Sequence, residues 1–130
     1  YGDLYIYINV KKHEIFERNG NDIYCQVPIG MTTAILGGEV EVPTLTGKTK
    51  IKIPEGTQHG KVFRLKDKGI NYSGRLGSEI IEIKIETPTN LSDKQKKILK
   101  EFDESLGHKN YKEGNSFKDK LKKFFSKFEN

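Results

Sequence analysis

The 130-residue chain has one cysteine, one methionine, four prolines and no tryptophan. A single thiol, Cys25, cannot build an internal disulfide framework or a multi-cysteine zinc site, and it fits a reducing, cytoplasmic setting. No apolar run approaches the ~18 residues of a membrane-spanning helix, so no membrane is expected. A signal peptide is lacking, and the chain opens at Tyr1 inside a strand-like pattern rather than at a methionine, which reads as a piece of a longer protein. His13, His59 and His108 have no second histidine or carboxylate at metal-ligand spacing. There is no nucleophile elbow, no phosphate loop with a Lys-Ser/Thr pair after its glycines, and no strand-to-helix glycine triplet. Glu39 and Glu41 fall on the exposed parity of a strand, which suits solubility better than acid–base work. The sum of these absences argues against an enzyme and predicts no metal and no cofactor.

What is present is charge and short apolar alternation. Hydrophobic residues make up 34% and charged residues 32%, with a net charge of +5. That charge is uneven: residues 1–88 carry 12 Lys and Arg against 11 Asp and Glu, whereas residues 89–130 carry 11 Lys against 7 acids. The basic residues of the second part alternate with acids on helical periods, as on a solvated helix face. Nucleic acid is not an expected partner, because aromatic and basic residues do not interleave on one sheet face.

The first 88 residues read as strands. Leu4–Val10, Ile23–Val27, Val40–Val42, Lys50–Ile53, Val62–Leu65 and Ile81–Ile85 each alternate with a period of two. Asn19-Gly20-Asn21-Asp22, Thr46-Gly47, Pro54-Glu55-Gly56 and Asp67-Lys68-Gly69 supply turns between them. Met31–Leu36 reads as one short helical turn. Short strands at this spacing predict a mainly-β, two-sheet β-sandwich. Beyond residue 88 the period changes. Ser92 and Gln95 form a capping box, and Leu91, Ile98, Leu99, Phe102 and Leu106 share a stripe ending near Gly107. A polar linker over 107–116 leads to a second amphipathic stretch, where Phe117, Leu121, Phe124, Phe125 and Phe128 share a face. These stripes must pack on their own domain, on a partner, or on another copy.

Residues 2–10 also line up with residues 77–85, an offset of 75, with Ile6, Ile8 and Val10 on the parity of Ile81, Ile83 and Ile85. The match is either an internal duplication or a coincidence between two alternating strands. With no catalytic cluster, apolar strand faces beside Lys48, Lys50 and Lys52 suit the binding of extended polypeptide. The same lysines serve equally as protection of an edge against aggregation.

Four ordered motifs then resemble a known family: Gly2-Asp3-Leu4-Tyr5 with His13-Glu14-Ile15-Phe16-Glu17-Arg18-Asn19-Gly20; Ala34-Ile35-Leu36-Gly37-Gly38-Glu39-Val40-Glu41-Val42-Pro43; Ile53-Pro54-Glu55-Gly56-Thr57-Gln58-His59-Gly60; and Glu86-Thr87-Pro88 before Leu91-Ser92. Together they resemble the C-terminal region of the DnaJ (heat-shock-40) co-chaperones, in the spelling of bacterial members. The resemblance covers nearly the whole chain and gives the 75-residue repeat a reason, two similar β domains in succession. It implies the closing strand of C-terminal domain I at 1–12, domain II at 13–88, a dimerisation helix at 89–106, and a linker with an amphipathic tail at 107–130. Zinc is implied only in a cysteine-rich domain that this chain does not contain. The resemblance also implies an N-terminal J domain, whose His-Pro-Asp motif stimulates the heat-shock-70 ATPase and has no counterpart in these 130 residues.

The implied partners are unfolded client polypeptides, a second copy, and, through the full-length protein, the heat-shock-70 chaperone and its nucleotide exchange factor. The family's client groove is implied at Ile6 in domain I. By the repeat offset its domain II counterpart falls on Cys25, Val27, Val40, Val42 and Ile81, residues that are otherwise core. Dimerisation is implied for Leu91, Ile98, Leu99, Phe102, Leu106, Phe117, Leu121, Phe124, Phe125 and Phe128. The alternative is a scaffold that dimerises and orients upstream domains without touching client.

Overall fold

A computed structural model describes residues 13–128 and divides the chain into two compact units, 1–88 and 89–130. The expected strand Leu4–Val10, and Ile6 with it, lies outside the described residues. In the first unit the strands are β1 (Phe16–Asn19), β2 (Asp22–Gly30), β3 (Gly38–Thr44), β4 (Gly47–Ile53), β5 (Val62–Leu65), β6 (Asn71–Tyr72), β7 (Arg75–Leu76) and β8 (Glu79–Glu86), with helix α1 (Met31–Leu36) between β2 and β3. The mainly-β reading stands. A four-stranded sheet runs β1-β2-β8-β5, and β3-β4 and β6-β7 form two hairpins.

Alternation decides which side of the large sheet is dry. On β2, Ile23, Cys25 and Ile29 are buried, and on β8 so are Glu79, Ile81 and Ile83. Residues two apart in a strand point the same way, so these six share the inner face. The β3-β4 hairpin covers that face: Val42, Ile51 and Ile53 join Ile29, Ala34, Ile81 and Ile83 in one cluster, with Val27, Val40 and Phe63 packed at its margin. A second cluster joins Phe16, Ile23, Cys25 and Ile70.

The central β2–β8 pairing is parallel and places Cys25 beside Ile81, Tyr24 beside Ile80 and Gln26 beside Glu82. Parallel partners need a long crossover, and here it contains α1, the β3-β4 hairpin, β5 and the β6-β7 hairpin. The crossover is pinned where the β1-β2 turn meets residues 69–78. The Asn21 side-chain amide donates to the carbonyls of Tyr72 and Arg75 at 3.0 and 2.8 Å, and the Asp22 carboxylate accepts the Ser78 amide at 2.7 Å. The Ile70 amide donates to the Asn21 carbonyl at 2.7 Å. The backbones run so close that a Cβ on Gly77 would stand 1.9 Å from the Asn21 oxygen.

The second unit holds α2 (Asp93–Ser105), a 3-10 turn (His108–Asn110) and α3 (Lys112–Ser126). The capping box forms as expected: the Ser92 hydroxyl accepts the Gln95 amide at 3.2 Å and the Gln95 side chain accepts the Ser92 amide at 2.8 Å. The expected linker is shorter than 107–116. Helix α3 begins at Lys112, five residues before Phe117, and Leu106 rather than Gly107 caps α2. Polar residues fill that first turn, so apolar spacing alone places the start too late.

Candidate functional site

Three surfaces compete for a functional role. The first is the expected inner-face groove. Cys25, Val42 and Ile81 are core residues at 3%, 1% and 0% exposure, while Val27 and Val40 are half-buried beside them. The β3-β4 hairpin closes onto the sheet over these residues. Cys25, Val42 and Ile81 are therefore withdrawn as surface contacts. Burial also pushes the Cys25 thiol up to about 11, with the Glu79 carboxylate adding to the effect, so this thiol is an inert packing group.

Glu79 lies on the same dry face, a residue that strand parity marks as inward and that composition marks as outward. It is fully buried, and among the described residues neither carboxylate oxygen has a hydrogen-bond partner. Desolvation pushes it up to about 7, partly offset by Lys68. An unpaired buried charge is expensive, so the neutral acid is the stable form below that point.

The second surface is the opposite face of the sheet. Tyr24 and Gln26 on β2 and Ile80 and Glu82 on β8 point away from the core, and the Gln26 amide donates to Glu82 Oε1 at 3.1 Å. With Ile15 and Glu17 they line a groove of about 500 Å³. Ile15 is 48% exposed. The parity of these residues is legible in the sequence, but their adjacency is not, because it depends on the parallel β2–β8 pairing.

The third surface is helical. No residue of α2 or α3 is buried, although each carries a one-sided apolar stripe. Ile98, Leu99 and Phe102 are exposed on α2, and Phe117, Phe124, Phe125 and Phe128 on or just after α3; Leu91, Leu106 and Leu121 are half-buried. Phe124 meets Phe125 and Phe128 edge-to-face, with centroids 5.5 and 5.1 Å apart. The stripe is thus preassembled but uncovered. Among the described residues no group of three His, Cys, Asp or Glu is placed to hold a metal ion, and no helix is long and apolar enough to cross a membrane.

A mainly-β unit whose hairpin closes onto its sheet, and a helical unit that exposes a one-sided apolar stripe, are the two parts of the chain. Residues 1–88 match the DnaJ C terminal domain model, and residues 94–127 match the Chaperone protein DnaJ C-terminal region. The chain belongs to the DnaJ C-terminal domain family. It is 57% identical over 126 residues to a Chaperone protein DnaJ of Ruthia magnifica subsp. Calyptogena magnifica, covering 95% of this chain and 35% of that protein. It is 53% identical to that of Fusobacterium nucleatum subsp. nucleatum, covering 95% and 32%, and 55% identical to that of Polaromonas sp. strain JS666, covering 96% and 34%. The chain therefore spans about a third of the length of these chaperone relatives.

Proposed function

We propose that this chain is the client-holding and homodimerising part of a DnaJ co-chaperone, and that it serves delivery of unfolded polypeptide to a heat-shock-70 partner without catalysis or a cofactor of its own. The observation that carries the dimer is the bare stripe on α2 and α3: about half a dozen large apolar side chains without one buried member. Covering each gains roughly 1 kcal/mol from its remaining exposed area. Two copies of the stripe can offset the entropic cost of association. Dimerisation would also join two weak client sites, so that the second contact forms at high effective concentration.

Light scattering across concentration tests the assembly. The expected mass is about twice 14.9 kDa, and Phe102→Asp should return it to one chain while circular dichroism still reports the β unit. A wild-type chain that stays monomeric at high micromolar concentration would sink the dimer. The rival scaffold reading draws support from the closure of Cys25, Val42 and Ile81 into the core. Slowed aggregation of a denatured protein in the presence of this chain separates the two, since a scaffold alone gives no protection.

A further inference from the structure

Helices α2 and α3 differ in what frames their apolar stripes. Along α2 four lysines are matched by four acids. Along α3, with Lys127 just after it, six lysines stand against two acids, Glu113 and Asp119. Helical spacing sets Phe117, Leu121, Phe124 and Phe128 in one line with Phe125 beside it, and each of the four phenylalanines is more than half exposed. The same spacing places Lys118 and Lys122 along one margin of the stripe and Lys120 and Lys127 along the other. Asp119 lies on the far side of the helix. Beside Phe117, Lys112, Ser116 and Lys120 follow one another at four-residue steps and line, with Glu113, a shallow hollow of about 390 Å³.

We propose that α3 docks flat on a membrane surface of anionic lipid, with its phenylalanines at the acyl boundary and its lysines among the headgroup phosphates. A helix with a bare aromatic face and a lysine-rich polar face has the pattern of one that lies in the headgroup layer. Such a helix needs no spanning length, and no helix among the described residues has one. Lysine suits the margins because its alkyl stem covers apolar surface while its ammonium stays with the headgroups. Charge decides between lipid and a second copy as the cover for α3. Two α3 stripes laid together bring lysine margins against lysine margins, with Glu113 as the only acid beside them. An anionic surface answers both margins at once, and the attraction grows with each lysine near it. The inference goes beyond the dimer reading, since the Phe102 contact on α2 stays open to a second copy while α3 lies on lipid.

The test sediments the 130-residue chain with vesicles of phosphatidylcholine alone, or of phosphatidylcholine with about one-third phosphatidylglycerol. Partition onto the anionic vesicles should be stronger by about tenfold or more, and half-molar salt should remove most of the difference. Slowed amide exchange on the vesicles should fall on residues 112–128. Phe124→Ser with Phe125→Ser should lower partition about tenfold by removing apolar insertion, while circular dichroism still reports the β unit. Should that pair unravel α3, Lys122→Gln with Lys123→Gln keeps the stripe and should weaken binding to anionic vesicles about tenfold, leaving neutral ones unaffected. Phe102→Asp, aimed at α2, should keep the preference for anionic vesicles whatever its mass in solution. Equal partition onto the two vesicle types, protection centred outside α3, or a chain that pairs through α3 and stays off both vesicles would overturn the proposal. A monomeric chain that still prefers anionic vesicles supports it and removes the dimer.

Discussion

Glu79→Gln is the sharpest perturbation available to the β unit, because it removes one buried titratable group and changes little volume. In the folded chain the Glu79 carboxyl is pushed from 4.5 up to about 7 by burial, with no hydrogen bond to either oxygen among the described residues. The folded state therefore holds its proton more tightly than the unfolded state does. Between pH 4.5 and 7 folding takes up a proton, so stability is highest at the acid end of that window and falls as pH rises through it. Each tenfold of proton affinity is worth about 1.4 kcal/mol. Raising the pH from 5 to 8 should then remove about 2–3 kcal/mol, a large share of the total for a small domain. The glutamine variant has no such proton to lose. The assay is urea unfolding at pH 5, 6, 7 and 8, followed by far-ultraviolet circular dichroism, with the difference between the two proteins taken at each pH so that other titrations cancel. The variant should match wild type near pH 5 and exceed it by about 2 kcal/mol at pH 8, the new amide's own unmet bonds taking back part of the gain. A constant difference across this range, or a wild type that gains on the variant as pH rises, would falsify the account of Glu79 as a neutral buried acid.

Two further substitutions or labels probe other parts of the same unit. Gly77→Ala puts a methyl 1.9 Å from the Asn21 carbonyl oxygen and 2.3 Å from its carbon. Both contacts are backbone and cannot rotate away, so the urea midpoint should fall by an amount equivalent to roughly 3 kcal/mol; an unchanged midpoint refutes the close crossing. Cys25, at 3% exposure and with its thiol raised to about 11, should react with a disulfide reagent only as fast as the β unit opens. Rapid labelling of fully folded chain, unchanged by stabilising conditions, contradicts its place in the core.

Local chemistry is legible in this sequence and long-range pairing is not. The alternation at Ile23–Val27 and Ile81–Ile85 marks two strands, and the Ser92–Gln95 box marks a helix start, because each signal lies within a few residues. Nothing local says that β2 and β8 lie side by side and parallel, and that adjacency creates both the core around Cys25 and Ile81 and the groove on the reverse face. β1 is short and charged, and β6 and β7 have two residues each. These small strands are held by the Asn21 side chain and by Gly77, partners some fifty residues apart, which periodicity cannot reveal. Parity does place Glu79 inward, two residues before Ile81, but the usual cost of burying a carboxylate argues the other way. Tertiary packing settles the conflict in favour of parity.

The charges on the two outer faces of the β unit show why composition alone misleads about partners. On the β3-β4 hairpin, Glu39 lies across from Lys52 and Glu41 across from Lys50, and Lys48 approaches Glu41 at 4.0 Å. Cross-strand opposites of this kind stabilise the pair modestly and leave the face close to neutral. The lysines that look like a basic edge in the sequence are thus largely answered by their own neighbours. On the reverse face of the sheet the row of Glu17, Tyr24 and Ile80 ends on Arg64, and Lys84 follows Glu82 along β8, so acids and bases are interspersed there as well.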